Sequence, residues 1–363
     1  QTTGDVRIEF YAAIKTAEPF LPAGTVIARE QTYVHTFYKK EATAQQPATS
    51  KEEGNLVAFS GPDFKATFDK QSGLLTSYLY KKHEYILNGQ GPRPFFWRAP
   101  TDNDYGANLP VRLKAWKEAS YQEPKAESFQ VTPGSNATTI KVTYRFPQTD
   151  ARWDITYKIY ASGVIKVDNR FVAEGDQAPM IPRVGLRMQL PESFTDLTYY
   201  GRGPKENYRD RRTSQFIGEY AIPVKDMYEP YVRPQENNHR TDIYWCALTD
   251  KTQRGLLLIA DRTFELNASN YPLESMDSGD TIDNGAPRTE KTHHRHLTDP
   301  LPEKMVDLFI DYRMMGVGGD DSWGATAHEP YLIRPGKENA IEYGFSLVPF
   351  DKKEDYKYLI RQY

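Results

Sequence analysis

A large all-β sandwich is the fold this sequence predicts, and three observations carry that reading. Short segments alternate apolar and polar residues with a period of two and are separated by turn residues, the pattern of half-buried strands. Aromatic residues make up 13% of the chain, with 25 Tyr and 17 Phe, which suits pleated surfaces. No alternation of strand and helix patterns runs along the chain, so a barrel of β/α units is excluded. At 363 residues the chain is long enough for roughly two domains of about 100–200 residues. It can bury a core without disulfide staples.

The elements follow in order. "DVRIEFYAAI" sets Val6, Ile8 and Phe10 against Arg7, Glu9 and Tyr11. Too few strands precede residue 39 for an independent sandwich, so residues 1–38 are expected to be the end of a domain that starts earlier. Residues 39–55, "KKEATAQQPATSKEEGN", are polar and aperiodic and read as a linker. From 56 to 350 no comparable break occurs. "FKATFDKQSGLLTSYLY" holds two strands around Lys70–Gly73, "IKVTYRF" alternates from Ile140 to Phe146, and "ITYKIY" and "GVIKV" flank a short Gly-containing turn. "NLPVRLKAWKEA" is the one good helix candidate, with Asn108 near its N-cap, Pro110 in the first turn, and Leu113 and Trp116 on one face. "GLLLIAD" (255–261) reads as a central strand. Residues 351–363 form a charged, tyrosine-rich tail, either a short helix or extended.

Composition excludes several function classes. Lys plus Arg is 46 and Asp plus Glu is 49, a net charge of −3, which argues against nucleic acid or an anionic membrane as main partner. No apolar run approaches ~18 residues, so no helix is expected to span a membrane. No targeting signal is recognised, which leaves the compartment, cytoplasmic or periplasmic, open. The single cysteine, Cys246, lies in the apolar run "IYWCALT" and reads as core rather than as a reactive thiol.

Four stretches could carry chemistry. "FFWRAPTDNDYGAN" (95–108) gathers Arg98, Asp102, Asn103 and Asp104. Its Asp-x-Asp-x-Gly resembles the opening of a calcium loop, but Leu113 would stand at the twelfth position, so an EF-hand is excluded. The group either ties down a turn, forms a looser metal site, or lines a sugar cleft. The irregular stretch 199–242 is dense in Tyr, Arg, Glu and Asn, as functional segments often are. Glu206 and Glu236 could form the carboxylate pair of a retaining glycosidase, or His239 with either acid could serve an aldose epimerase. Ion pairing with the neighbouring arginines explains the acids equally well. "THHRH" places His293, His294 and His296 together, short of a full ligand set for zinc, so no metal is assigned. "MMGVGGDDSWGA" (314–325) lacks Gly-Lys-Ser/Thr and is not a phosphate loop. Its glycines allow tight turning and its aspartates can accept backbone N–H groups. Trp323 then either caps the domain's own core or is presented to a ligand.

Taken together and in order, "RAPTDNDYG", "GRGPKENYRDR", "DMYEPYVRPQENNHR", "THHRH" and "MGVGGDDSW" resemble the C-terminal part of the large β-galactosidases of glycoside hydrolase family two, over nearly the whole chain. The resemblance implies an antiparallel supersandwich like galactose mutarotase for 56–350 and the end of an immunoglobulin-like sandwich for 1–38. It implies that the nucleophile and acid/base, two glutamates, lie with the catalytic magnesium site on an upstream TIM barrel. No catalytic residue or cofactor is then expected in this chain, which alone should be inactive. The expected partners are the upstream domains and a terminal β-galactoside, in an enzyme that is often oligomeric. By the resemblance Trp323 forms part of the wall on which substrate stacks, and its ring is expected to be exposed here. A free-standing aldose 1-epimerase-like or carbohydrate-binding protein is the alternative.

Overall fold

The computed structural model describes residues 4–37, 45–174, 180–278, 296–321, 324–352 and 356–362. Trp323, His293 and His294 lie outside the described residues. Contacts divide the chain into two units, 1–43 with 357–363, and 44–356.

In the first unit, β1 (Gly4–Ala13) and β2 (Val26–Phe37) form an antiparallel hairpin. Ile8, Phe10, Ile27 and Val34 are exposed, as expected of a two-stranded ribbon that cannot bury both of its faces.

The second unit opens with a five-stranded meander: β3 (Thr49–Glu53), β4 (Leu56–Ser60), β5 (Phe64–Asp69), β6 (Leu75–Tyr80) and β7 (His83–Glu84). β3 corrects the sequence reading, which left 49–53 in a linker. It is an edge strand with all five residues exposed, so no apolar face was available to reveal it.

A twelve-stranded antiparallel sheet makes up the rest. Its strands are β8 (Arg93–Phe95), β9 (Ala126–Thr132), β10 (Thr138–Phe146), β11 (Ala151–Ile159), β12 (Ile165–Ala173), β13 (Arg183–Pro191), β14 (Asp196–Gly203), β15 (Phe216–Pro223), β16 (Arg240–Thr249), β17 (Gly255–Ser269), β18 (Met305–Met314) and β19 (Ile341–Phe350). The main order is β15-β14-β16-β17-β19-β12-β11-β10-β9, and a branch runs from β17 through β18 and β13 to β8. The alternation read from the sequence holds. In β10, Ile140, Val142, Tyr144 and Phe146 are buried while Lys141 and Arg145 face out. "GLLLIAD" lies in β17, where Gly255–Ile259 are buried between β16 and β19. Cys246 on β16 is fully buried, and burial pushes its thiol pKa up. Phe96, Trp116, Phe146, Trp153 and Phe171 form an aromatic cluster, with Phe96 and Phe146 edge to face at 4.9 Å.

The expected helix over 108–119 is two: α2 (Leu109–Arg112) and α3 (Lys114–Tyr121), broken at Leu113. Asn108 is not a side-chain cap; it sits in the left-handed region at φ 55°, which Asn tolerates. A further helix, α1 (Asp102–Gly106), precedes it and opens with a capping box between Thr101 and Asp104. Burial of Leu113 and Trp116 decides the geometry over local propensity. In the tail, α4 spans Tyr356–Gln362.

Candidate functional site

Three of the four singled-out stretches meet around the loop that follows β18. Arg98, 2% exposed, grips Asp104 with two nitrogens at 2.7 and 3.0 Å. Its guanidinium also donates to the carbonyls of Met315 at 2.7 Å and Gly316 at 3.1 Å. The amides that follow are held from the other side: Asp210 accepts from those of Val317 at 3.1 Å and Gly318 at 2.7 Å. Three successive peptide groups, from Met315–Gly316 to Val317–Gly318, are thus fixed, two carbonyls by a cation and two amides by an anion, each a charge-assisted bond.

The loop's own residues contribute less. Asp321 accepts from the amide of Ala325 at 3.2 Å, while Asp320 faces the His328 ring at 2.8 Å. The glycines act through space rather than through turning. Gly316, Gly318 and Gly319 have no positive φ. A Cβ on Gly316 would meet the Asp210 carboxylate at 2.6 Å, and one on Gly319 would meet the Ala325 carbonyl oxygen at 2.6 Å.

A buried polar network lies under the loop. Glu265 on β17 accepts from the Met314 amide at 2.7 Å and faces His239 Nε2 at 2.9 Å. Its other oxygen pairs with Arg209, the neighbour of Asp210. Burial raises the Glu265 pKa, but the His239 hydrogen bond and the Arg209 charge outweigh it and hold it down at about 2. The amide of Asn267 donates to the Asn237 carbonyl at 2.8 Å and to Glu236 at 3.0 Å. That turns its oxygen toward His239 Nδ1, 2.6 Å away, and Arg183, 3.0 Å away. Both ring nitrogens of His239 therefore face oxygen atoms, Asn267 Oδ1 and Glu265 Oε2. Tyr208 stacks on that ring with centroids 5.4 Å apart. Beside Arg183, Asp311 is fully buried and neither carboxylate oxygen has a hydrogen-bond partner. Burial outweighs Arg183 there, and the Asp311 pKa is pushed up to about 7.

The other candidates take defined places. Glu206 accepts from Tyr231, Arg211 and the Asn238 amide. Glu236, 6% exposed, pairs with Arg183 at 3.5 Å. Each acid thus ties two segments together. The partner of His239 is Glu265 rather than Glu206 or Glu236. It sits in an apolar-looking strand, "FELNAS", and only the polar residues spaced two apart, Glu265 and Asn267, signal that one face of it meets a polar interior. Asp104 is a buried cap, and Arg98 is buried with it. Asp102 is exposed, near Arg233 and Gln235, and Asn103 is partly exposed. These two, with Arg211, Tyr231 and Val317, border an open recess of about 250 Å³ beside the loop. His296 is exposed. Among the described residues no three His, Cys, Asp or Glu side chains group to hold a metal ion.

Comparison with known proteins adds the following. A family model described as "Beta galactosidase small chain" matches residues 60–347. A β-galactosidase of Priestia megaterium is 33% identical over 291 residues, 80% of this chain and 26% of that protein. One of Lactobacillus delbrueckii subsp. bulgaricus is 30% identical over 334 residues, 91% and 31% of the two chains. One of Streptococcus thermophilus is 27% identical over 348 residues, 94% and 32%. The chain spans about a quarter to a third of the length of these curated relatives. Among solved structures, galactose 1-epimerase from Lactobacillus acidophilus aligns over 85% of this chain and 99% of its own, at a TM-score of 0.39 and 7% identity, a likeness that carries no argument.

Proposed function

Since the chain belongs to the β-galactosidase small-chain family, we propose that it is the C-terminal segment of a retaining β-galactosidase and serves an active site it does not itself contain. In this reading the nucleophile, the acid/base and the magnesium ion lie on an upstream barrel, where a terminal β-galactoside is hydrolysed by double displacement. This chain supplies the loop that carries Trp323, whose ring forms part of the substrate wall. One observation supports the assignment above others: the clamp of Arg98 and Asp210 on three successive peptides, Met315 to Gly318, at the start of the loop that leads to Trp323. A Gly-rich surface loop is ordinarily mobile. One held this firmly is suited to placing a side chain at a fixed point, which substrate positioning requires.

The chain alone is expected to leave an aryl β-galactoside unhydrolysed. In the full-length enzyme Trp323→Ala should raise KM while the melting temperature holds. An unchanged KM with a large loss of thermal stability would make Trp323 a cap on its own domain instead. The epimerase alternative needs an acid and a base that reach a sugar, and full burial of His239 and Glu265 counts against it. Faster decay of the optical rotation of fresh α-galactose in the presence of the chain would revive it.

A further inference from the structure

β17 runs beside β19 through Gly255–Ala260 and beside β18 through Glu265–Ser269. Residues 261–264 lie where these two neighbours part. From this fork a basin of about 1060 Å³ extends over one face of β19, β12, β11 and β10 to β9. Register sets its side chains shoulder to shoulder: Lys141 opposite Thr156, Asp154 opposite Arg170, Asp168 opposite Gly344. Six strands at ~4.8 Å spacing make it about 24 Å long.

The chain as a whole is acidic, at −3, yet this face carries surplus positive charge. Each of the five acids lining it already has a cation. Asp154 is 2.9 Å from Arg152 and Glu342 is 3.4 Å from Arg170. Asp168 is shared by Lys158 and Lys166, Asp242 by Arg202 and Arg212, and Lys166 also reaches Asp261. Three lining cations, Lys141, Arg262 and Arg313, have no acidic partner among the described residues. The Nε of Arg313 has no hydrogen-bond partner among the described residues, and its guanidinium lies 5.3 Å from the Tyr312 ring centroid.

We propose that this basin binds an acidic oligosaccharide, its carboxylates meeting Arg262 and Arg313 and its hydroxyls meeting the neutral groups between them. Ser128, Gln130, Thr156, Thr263 and the Tyr312 hydroxyl line the basin and make no side-chain hydrogen bond among the described residues. Donors and acceptors of that kind match a polyol. Tyr312 and Tyr343, with ring centroids 6.1 Å apart, offer faces for sugar C–H groups. The site is independent of the Trp323 loop and stands or falls separately from it.

The test is calorimetric titration of the 363-residue chain with an oligogalacturonate, a neutral galacto-oligosaccharide of equal length, and polyglutamate. The uronate should bind, and its affinity should fall as salt rises. Arg262→Ala with Arg313→Ala should weaken it at least about tenfold, since two charge-assisted contacts go, while thermal unfolding stays in place because neither arginine holds an acid. No heat with the uronate at millimolar concentration overturns the proposal. So does equal binding of the neutral sugar, which removes the role of charge. Polyglutamate binding as tightly as the uronate also overturns it, and points to a polypeptide as the occupant.

Discussion

Replacing Asp210 by alanine removes the anionic half of the loop clamp. Two bonds go, at 3.1 Å to the Val317 amide and 2.7 Å to the Gly318 amide. Bonds to a charged group contribute about 1.5–3 kcal/mol each when the released partner stays buried. Here the freed amides are partly exposed and recover water, so about 1 kcal/mol each is the better figure. A total near 2 kcal/mol corresponds to roughly 30-fold in the equilibrium between held and released loop. Hydrogen exchange reads that equilibrium directly. In the 363-residue chain the amide protons of Val317 and Gly318 should exchange about 30-fold faster in Asp210→Ala, while those of β17 and β18 are unchanged. Asp210→Asn keeps one acceptor and should fall between. If the loop places Trp323, the full-length enzyme should also lose apparent affinity in proportion to the fraction of loop held. Unaltered exchange at Val317 and Gly318 would show that something other than this carboxylate holds the loop, and the reasoning from clamp to placement would fail with it.

Other outcomes follow from the same geometry. Arg98→Ala leaves Asp104 buried without its cation and should cost about 3–5 kcal/mol in urea unfolding; a loss under 1 kcal/mol would mean that water replaces the guanidinium. Asp311, held near 7 in the fold against 3.8 outside it, binds its proton more tightly when folded. Stability should therefore drop as pH rises from about 4 to about 7, by up to about 4 kcal/mol, and Asp311→Asn should flatten that slope; an identical slope in the variant would exclude Asp311 as its source. Glu265, held near 2, works in the opposite sense: its stabilisation is complete above about 4.5 and is lost as pH falls toward 2. Glu265→Gln should therefore be less stable than the parent at pH 7 and show a shallower acid limb.

The sheet was legible because its strands are half-buried. Ile140, Val142, Tyr144 and Phe146 alternate with polar neighbours, and such alternation survives in a single sequence. β3 was not legible, because an edge strand exposed on both faces needs no apolar pattern. The helical stretch lies where the sequence predicts it, but it breaks at the fully buried Leu113, where the sequence pattern alone continues. The site was half legible. Composition marked Arg98, Asp104, Glu206, Glu236 and His239 as unusual, but their partners are set by contacts across long sequence distances. Arg98 finds Met315, and His239 finds Glu265 and Asn267, only once the sheet is assembled. Asp210, in "GRGPKENYRDR", gives no sequence signal, since nothing local distinguishes an aspartate that holds amides from one that faces an arginine.

Cys246 has a practical consequence. It is the sole thiol of the chain, fully buried on β16 between β14 and β17, and its ionisation is suppressed. A thiol reagent reaches it only when β16 separates from β14 or β17. The wild-type chain thus carries its own reporter of core opening, and labelling rates at one position measure kinetic stability without engineering. A second cysteine at the partly exposed Val317 or the exposed Asp320 would react long before Cys246. One labelling experiment would then time the loop and the core on separate clocks.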